Sequence, residues 1–192
     1  MEESKMNVKV RKWIEEDGIK FLQEIGIKKG QVVLDFGCGE GHYTIPASKI
    51  VGASVKLYAL DKDKSALDKL KKTAEKNNVR NIELIKGNSE IPLGNNSVDI
   101  VLCYDVIHYE KRKKRIAIYN EIYRVLKKDG LFSVYPKHYK EDHPLMELAD
   151  INLKGVVREI ENVDFVLKGK FKKDLLHDEN YNEGYILNFK KD

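Results

Sequence analysis

The sequence predicts an α/β fold in which a mostly parallel sheet is covered by helices on both faces. As far as residue 135, short apolar runs alternate with segments whose apolar residues recur at helical spacing. Strands that alternate with helices in this way form parallel sheets. Nearer the C-terminus, residues 165–171 and 184–190 alternate apolar and polar side chains with a period of two, which predicts an antiparallel hairpin at the edge of the sheet.

The individual elements follow in a regular order. The predicted strands of the parallel part cover residues 31–36, 54–60, 82–86, 100–103 and 131–135. The predicted helices after the first strand cover residues 42–51, 65–77, 113–126 and 153–160. Gly130 is interpreted as the end signal of the third of these helices. A long polar linker, Lys172 to Asn182, is predicted between the two hairpin strands.

A further helix is predicted before the first strand. Residues 7–26 have the apolar spacing of an amphipathic helix, and Trp13 is one of the apolar positions. Gly18 is a candidate interruption and Gly26 a candidate end. One interpretation is a helix that packs on the sheet, and the other is a flap that closes over a ligand cleft with Trp13 as its anchor.

The composition indicates one globular domain over residues 1–192. The chain is 42% hydrophobic and 34% charged, and its net charge of +4 permits an anionic partner without requiring one. Two cysteines are too few for a disulfide scaffold. No run approaches about 18 apolar residues, and the first five residues lack an apolar signal core, so we expect a cytoplasmic protein without a membrane span.

The most informative stretch runs from Val32 to Gly41, where an apolar strand ends in three alternate glycines and a helix follows. Such a turn lets a ligand approach the backbone closely beside a helix N-terminus. A dinucleotide site needs the spacing G-x-G-x-x-G, and here His42 stands where the third glycine is due. Asp35 also places a negative charge before the turn, which suits a cationic ligand with an amino group better than a phosphate.

Asp61 ends the second predicted strand, 20 residues after Gly41. A carboxylate at this position of an open sheet can accept both hydroxyls of a ribose. The alternative is that Asp61 serves as a helix N-cap or turn residue.

The run Val33 to Gly41 resembles motif I of the class I S-adenosylmethionine-dependent methyltransferases, and most closely the ubiquinone/menaquinone-biosynthesis-type branch of small enzymes. The resemblance covers about residues 20–135 well. It implies a Rossmann-like, seven-stranded, mostly parallel sheet with an antiparallel final strand. It also implies S-adenosylmethionine as the cofactor and S-adenosylhomocysteine as the product.

The resemblance assigns the cofactor-binding roles. The three glycines would wrap the methionine and ribose parts, Asp61 would hold the ribose hydroxyls, and the backbone of Tyr104 would face the methionine end. Where the family usually has an acidic residue that bonds the adenine amino group, this chain has Asn88, whose amide oxygen can accept the same bond. The predicted cofactor-binding residues are Asp35, Gly37, Cys38, Gly39, Gly41, Asp61, Lys62, Asn88, Ser89 and Tyr104.

Methyl transfer from a sulfonium requires mainly that the acceptor is aligned and water is excluded. A base is needed only where the acceptor must lose a proton. His108 is the candidate base because it follows the fourth strand, and the alternative is a structural loop histidine. Tyr104 and Tyr109 are candidates for the pocket lining, whereas the cluster 137–139 with His143 is either a cleft wall or a solvated loop.

The sequence leaves the acceptor open. The Cys, His and acidic residues lack ligand spacing, so no metal site is predicted. A small organic acceptor is favoured because no insertion forms a substrate domain. Methylation of RNA or protein is an alternative, since Lys111 to Arg115 is a basic run, although such runs are usually solvated helix starts. A cofactor-binding protein without transferase activity is a further alternative, and a nucleotide-dependent oxidoreductase is disfavoured by His42.

Overall fold

The computed structural model describes residues 7–107, 110–142 and 150–192. Within these residues the chain forms one seven-stranded sheet in the order β3-β2-β1-β4-β5-β7-β6. The strands are β1 (Val33–Phe36), β2 (Leu57–Asp61), β3 (Ile82–Lys86), β4 (Val98–Tyr104), β5 (Leu126–Tyr135), β6 (Phe165–His177) and β7 (Asn180–Lys191). Strands β1 to β5 pair in parallel, and β7 is antiparallel to both β5 and β6. The predicted Rossmann-like α/β fold with an antiparallel C-terminal hairpin is confirmed.

Helices cover both faces of the sheet. They are α1 (Val8–Lys12), α2 (Gly18–Glu24), α3 (Thr44–Val51), α4 (Lys64–Lys76), α5 (Arg112–Val125) and α6 (Leu153–Glu161). One hydrophobic core joins the sheet to α1 through α4, and the other joins it to α5 and α6. None of the helices in the described part of the chain is both long and apolar enough to cross a membrane.

The junction between α5 and β5 differs from the prediction. The helix ends at Val125, one residue before the predicted end, but β5 begins at Leu126 rather than at Leu131, and Gly130 lies within the strand. Leu126 pairs with Val98 of β4, and the ladder shifts register before Ile100 pairs with Leu131. The strand therefore begins before the glycine, because burial of Leu126 between β4 and the α5 face outweighs the end signal at Gly130.

The predicted polar linker between the hairpin strands is wrong. Strand β6 continues to His177, β7 begins at Asn180, and the pairing is continuous from Lys170 opposite Leu187 to His177 opposite Asn180. Residues 172–174 of β6 are all polar and lie at the sheet edge, so the apolar alternation of residues 165–171 stops there and gives no strand signal beyond Phe171. Because β7 is antiparallel to both neighbours, β6 runs in the same direction as β1 to β5, and His177 lies at their carboxyl edge.

The N-terminal helix packs against α3 and the hairpin. A π-helical turn, Trp13–Asp17, joins α1 to α2. Trp13 is 1% exposed, and its indole Nε1 donates to the carbonyl of His42 at 3.0 Å. Tyr181 of β7 donates through its hydroxyl to Asp17 Oδ2 at 2.8 Å. The helix is thereby fixed to the glycine-turn side of the sheet, as the packing interpretation expects.

Gly18 is the position at which this packing is most sensitive to added volume. A Cβ at Gly18 would lie 2.7 Å from the Trp13 carbonyl oxygen and 2.8 Å from its indole Nε1. We therefore expect Gly18→Ala to lower the free energy of unfolding by about 1–3 kcal/mol, the usual cost of overpacking, in urea unfolding experiments.

Gly94→Ala is the matched control, because a Cβ there meets nothing within 4 Å. Equal losses of stability in the two variants would contradict the steric explanation.

Candidate functional site

The carboxyl ends of the strands surround one cavity of about 480 Å³. It lies outside β1 and β4, the adjacent strands from which the sheet order proceeds in opposite directions, and this is where open α/β sheets bind ligands. Residues that follow or end β1, β2, β3, β4 and β6 line it, among them Gly37, Cys38, Gly39, His42, Asp61, Lys62, Asn88, Tyr104, Asp105 and His177.

The three glycines of the turn all have left-handed backbone, with φ of +77° at Gly37, +51° at Gly39 and +91° at Gly41. A Cβ at Gly37 would lie 2.2 Å from Val106, and one at Gly41 would lie 2.2 Å from Leu70. A Cβ at Gly39 would meet nothing within 4 Å. Two glycines therefore allow close packing under the turn, whereas Gly39 leaves space in the cavity that a side chain would fill.

Asp61 holds this turn. Its Oδ2 accepts from the backbone N–H of Gly39 at 2.8 Å, and its Oδ1 accepts from that of Asp63 at 2.8 Å. The N-cap of α4 is Asp63, which accepts from Ser65, so Asp61 is a turn residue rather than the helix cap. Each carboxylate oxygen accepts one bond here and has a second lone pair, so the turn role leaves room for ribose hydroxyls.

Asp35 lies behind the turn and does not line the cavity. It is 3% exposed, and its Oδ2 accepts from the hydroxyl of Thr44 at 2.5 Å. Burial raises the pKa of Asp35 from 3.8 to about 7. Gly41 and Ser89 also lie outside the cavity lining, so direct cofactor contact by these three residues stays a prediction.

The other predicted cofactor residues reach the cavity. Cys38, Lys62, Asn88 and Tyr104 all line it. Burial raises the pKa of the Cys38 thiol well above its usual range, which keeps the thiol uncharged. The Tyr104 hydroxyl lies 2.8 Å from Ser133 Oγ, and this hydrogen bond fixes the ring that lines the cavity.

Some predictions concern residues without a described position. The candidate base His108 lies outside the described residues, as do Tyr109 and His143. The flap interpretation of residues 7–26 also stays a prediction, because the residues that line the cavity include none from that helix.

Beside the cavity the structure brings together three residues that the sequence analysis did not connect, Asp105, His138 and His177. His177 Nε2 lies 3.0 Å from Asp105 Oδ2 and 3.2 Å from His138 Nε2. The hydrogen bond to Asp105 raises the pKa of His177. These residues follow or end β4, β5 and β6 and meet only in the folded chain, so their spacing in the sequence does not bear on whether they bind a metal. The one available signal was that Asp105 and His138 each follow a predicted strand end.

The basic run 111–115 was interpreted as a solvated helix start, but part of it is buried. Arg115 is 2% exposed and makes a bidentate pair with Glu159, with Nε to Oε2 at 2.8 Å and Nη2 to Oε1 at 2.9 Å. Lys114 pairs with Glu110 at 2.7 Å. The run therefore serves in part to fasten α5 to α6.

An open parallel sheet with a glycine turn and a carboxylate at its switch point defines an α/β protein with a cofactor site. The family described as "Methyltransferase domain" matches residues 27–181. The chain therefore belongs to this family, and the predicted resemblance to class I S-adenosylmethionine-dependent methyltransferases is confirmed.

Individual relatives agree with this assignment. The chain is 48% identical over 67 residues to a probable cobalt-precorrin-6B C(15)-methyltransferase (decarboxylating) of Saccharolobus solfataricus, which covers 34% of each chain. It is 30% identical over 122 residues to a demethylmenaquinone methyltransferase of Geobacillus sp., covering 62% of this chain and 49% of that one. The chain spans between 29% and 51% of the length of the curated relatives it matches.

Solved structures share the fold. A SAM-dependent methyltransferase from Aquifex aeolicus superposes with a TM-score of 0.73 at 24% identity, over 96% of this chain and 99% of that one. The likeness extends over the C-terminal hairpin as well as the parallel part of the sheet.

The pKa of Asp35 predicts a pH-dependent stability. A folded-state pKa raised from 3.8 to about 7 means that the stabilising contribution of the neutral carboxyl is fully present below pH 3.8 and is lost as the pH rises from there through about 7. Asp35→Asn mimics the neutral form, so relative to the unsubstituted protein it should gain stability between pH 4 and 7, on the order of 1.4 kcal/mol per pH unit. Urea unfolding at several pH values measures this, and a difference that does not vary with pH would contradict it.

Gly39→Ala tests whether the turn forms the floor of the cofactor site. The alanine side chain would enter the cavity, and placing a non-glycine residue in the left-handed backbone of position 39 costs about 1–2 kcal/mol. We expect calorimetry to show S-adenosylmethionine binding weakened about tenfold or more, equivalent to about 1.4 kcal/mol.

Gly26→Ala is the control for this variant, because Gly26 is also left-handed with φ of +110° and has open space at its Cβ, but lies away from the cavity. Weakened cofactor binding in both variants would show that strain, rather than occupancy of the cavity, is responsible.

Proposed function

We propose that this protein transfers a methyl group from S-adenosylmethionine to a small organic acceptor. The observation that carries the proposal is a cavity lined by residues from both sides of the point where the sheet order reverses. The glycine turn, Asp61 and Asn88 form one end, and Asp105 and His177 form the other. A nucleoside cofactor and a small acceptor can thus lie side by side in one cavity.

The residues present fit this cofactor. The space over Gly39 admits a ligand against the backbone, and the Asp61 carboxylate is anchored by two backbone N–H groups with lone pairs remaining for ribose hydroxyls. Asn88 lines the cavity near the end of β3 and can accept from the adenine amino group. When bound, the cofactor supplies a methyl group on a positively charged sulfur that leaves readily.

The charge of the cavity favours a cationic ligand. Six carboxylates line it, namely Glu40, Asp61, Asp105, Glu110, Asp178 and Glu179, of which Glu40 pairs with Lys69 and Glu110 with Lys114. Lys62 is the only lysine or arginine among the lining residues that the structure describes. Such a cavity attracts a sulfonium and opposes a pyrophosphate. It therefore supports S-adenosylmethionine over a dinucleotide.

The same charge argues for a small acceptor over RNA. A polyanion would have to approach a carboxylate-lined opening, and the basic run beside it is partly neutralised, since Lys114 and Arg115 are paired with carboxylates. The relatives named for demethylmenaquinone and cobalt-precorrin-6B act on small organic molecules, and we propose the same class of acceptor here.

The chain's own residues align and shield the reactants. Tyr43 and Tyr104 line the cavity with ring centroids 4.7 Å apart, and this apolar wall helps to exclude water. His108 remains the proposed proton acceptor for an acceptor that must be deprotonated. Two free, buried cysteines, Cys38 and Cys103, suit a reducing compartment, and we propose that the protein acts in the cytoplasm.

Calorimetry tests the cofactor half of the proposal. We expect micromolar binding of S-adenosylmethionine and negligible binding of NAD. Asp61→Asn should weaken binding of S-adenosylmethionine by about 1.5–3 kcal/mol, the value of a hydrogen bond to a charged group. Asp63→Asn removes a neighbouring charge and retains a good N-cap, so the affinity of this variant for S-adenosylmethionine should be unchanged. Binding of NAD instead, or equal losses in the two variants, would overturn the assignment.

An acceptor screen with a labelled methyl donor tests the transferase half. We expect label in small organic extracts together with S-adenosylhomocysteine. Label in RNA or protein would favour the macromolecular alternative, and cofactor binding without product for any acceptor class would favour a binding protein.

A further inference from the structure

Asp105, His138 and His177 form a compact set of donor atoms at the acceptor end of the cavity. His177 Nε2 lies 3.0 Å from Asp105 Oδ2 and 3.2 Å from His138 Nε2. His138 Nε2 lies 3.8 Å from Asp105 Oδ1. Three residues separated widely in sequence thus bring one ligand atom each to within 4.8 Å of one another.

These spacings are those of ligands around a zinc ion. Bonds of about 2.0–2.1 Å at tetrahedral angles place ligand atoms about 3.3 Å from one another. Two imidazole nitrogens and one carboxylate are also the donors that zinc sites with an open position use.

The backbone holds the donors in place. The N–H of Asp105 donates to the Tyr135 carbonyl at 2.9 Å, and the N–H of His138 donates to Asp142 Oδ2 at 2.7 Å. Asp105 and His138 both adopt left-handed backbone, with φ of +60° at each. Non-glycine residues held in this conformation concentrate at functional sites.

The surroundings also suit a cation. The nearby Lys137 is buried, and its charge is neutralised by buried Asp142 at 2.9 Å. Asp178 Oδ2 lies 3.5 Å from His177 Nδ1, the ring nitrogen that faces away from the set. A carboxylate beside the second nitrogen is the usual support of a metal-bound histidine.

We propose that Asp105, His138 and His177 bind one divalent transition-metal ion, for which Zn²⁺ is the best match. Asp105 and His177 line the cavity, so a fourth coordination position opens toward the acceptor. If the proposed function holds, this position selects acceptors with an ionisable hydroxyl or thiol, because a bound metal ion lowers the pKa of such a group.

Calorimetric titration of Zn²⁺ into chelator-treated, tag-free protein tests the site. We expect one ion per chain, no comparable binding of Mg²⁺, which prefers oxygen ligands, and visible absorption bands of a low-symmetry site with Co²⁺. His138→Ala and His177→Ala should each weaken Zn²⁺ binding by about 100-fold or more. His42→Ala is the control, because His42 lines the same cavity outside the set.

Thermal unfolding of the same variants distinguishes loss of the metal site from loss of the fold. Zn²⁺ should raise the Tm of the unsubstituted protein and of His42→Ala, and should leave the Tm of His138→Ala unchanged. The more conservative His138→Gln should behave like His138→Ala, which provides a second variant if the first does not fold. Absence of one-to-one Zn²⁺ binding, or equal losses in His42→Ala and His138→Ala, would overturn the proposal.

Failure of this site is distinguishable from failure of the proposed function. S-adenosylmethionine binding is measured on the same samples. Cofactor binding without Zn²⁺ binding would remove only the metal site, and Zn²⁺ binding without cofactor binding would remove only the proposed function.

Discussion

The site depends on the backbone of the glycine turn after β1. Its three glycines are left-handed; neighbouring side chains leave no room for a Cβ at two of them, and the third borders open space. The N–H of Gly39 binds Asp61 at the end of β2, so the turn and the carboxylate form one unit. The shape of the cavity and the placement of its central carboxylate follow from that one hydrogen bond and the backbone conformation beneath it.

Strand direction gathers the rest of the site. Parallel strands end at the same edge, which places Asp61, Asn88 and Asp105 around the turn. Strand β6 comes before β7 in the chain, and the antiparallel β7 lies between β5 and β6 in the sheet, so β6 runs with the parallel strands and brings His177 to this edge. Two ends with different chemistry therefore face one cavity, a nucleoside end at β1 to β3 and an imidazole–carboxylate end at β4 to β6.

Local signals made the first of these ends predictable. The glycine spacing, the apolar strand before it and the acidic residue at the next strand end all lie within about 30 residues. The second end was not predictable, because the apolar alternation of β6 stops at the polar run 172–174 and gives no signal as far as His177. Arg115 likewise belongs to a run that resembles a solvated patch, and only the tertiary position of Glu159 explains its burial.

The most direct test is a crystal structure of the protein with S-adenosylhomocysteine. The proposed cofactor site predicts the ribose hydroxyls within hydrogen-bond distance of the Asp61 carboxylate, the backbone of Gly39 against the ligand, and the sulfur directed toward the end that holds Asp105. A ligand bound outside this cavity, or one whose ribose lies away from Asp61, would contradict it.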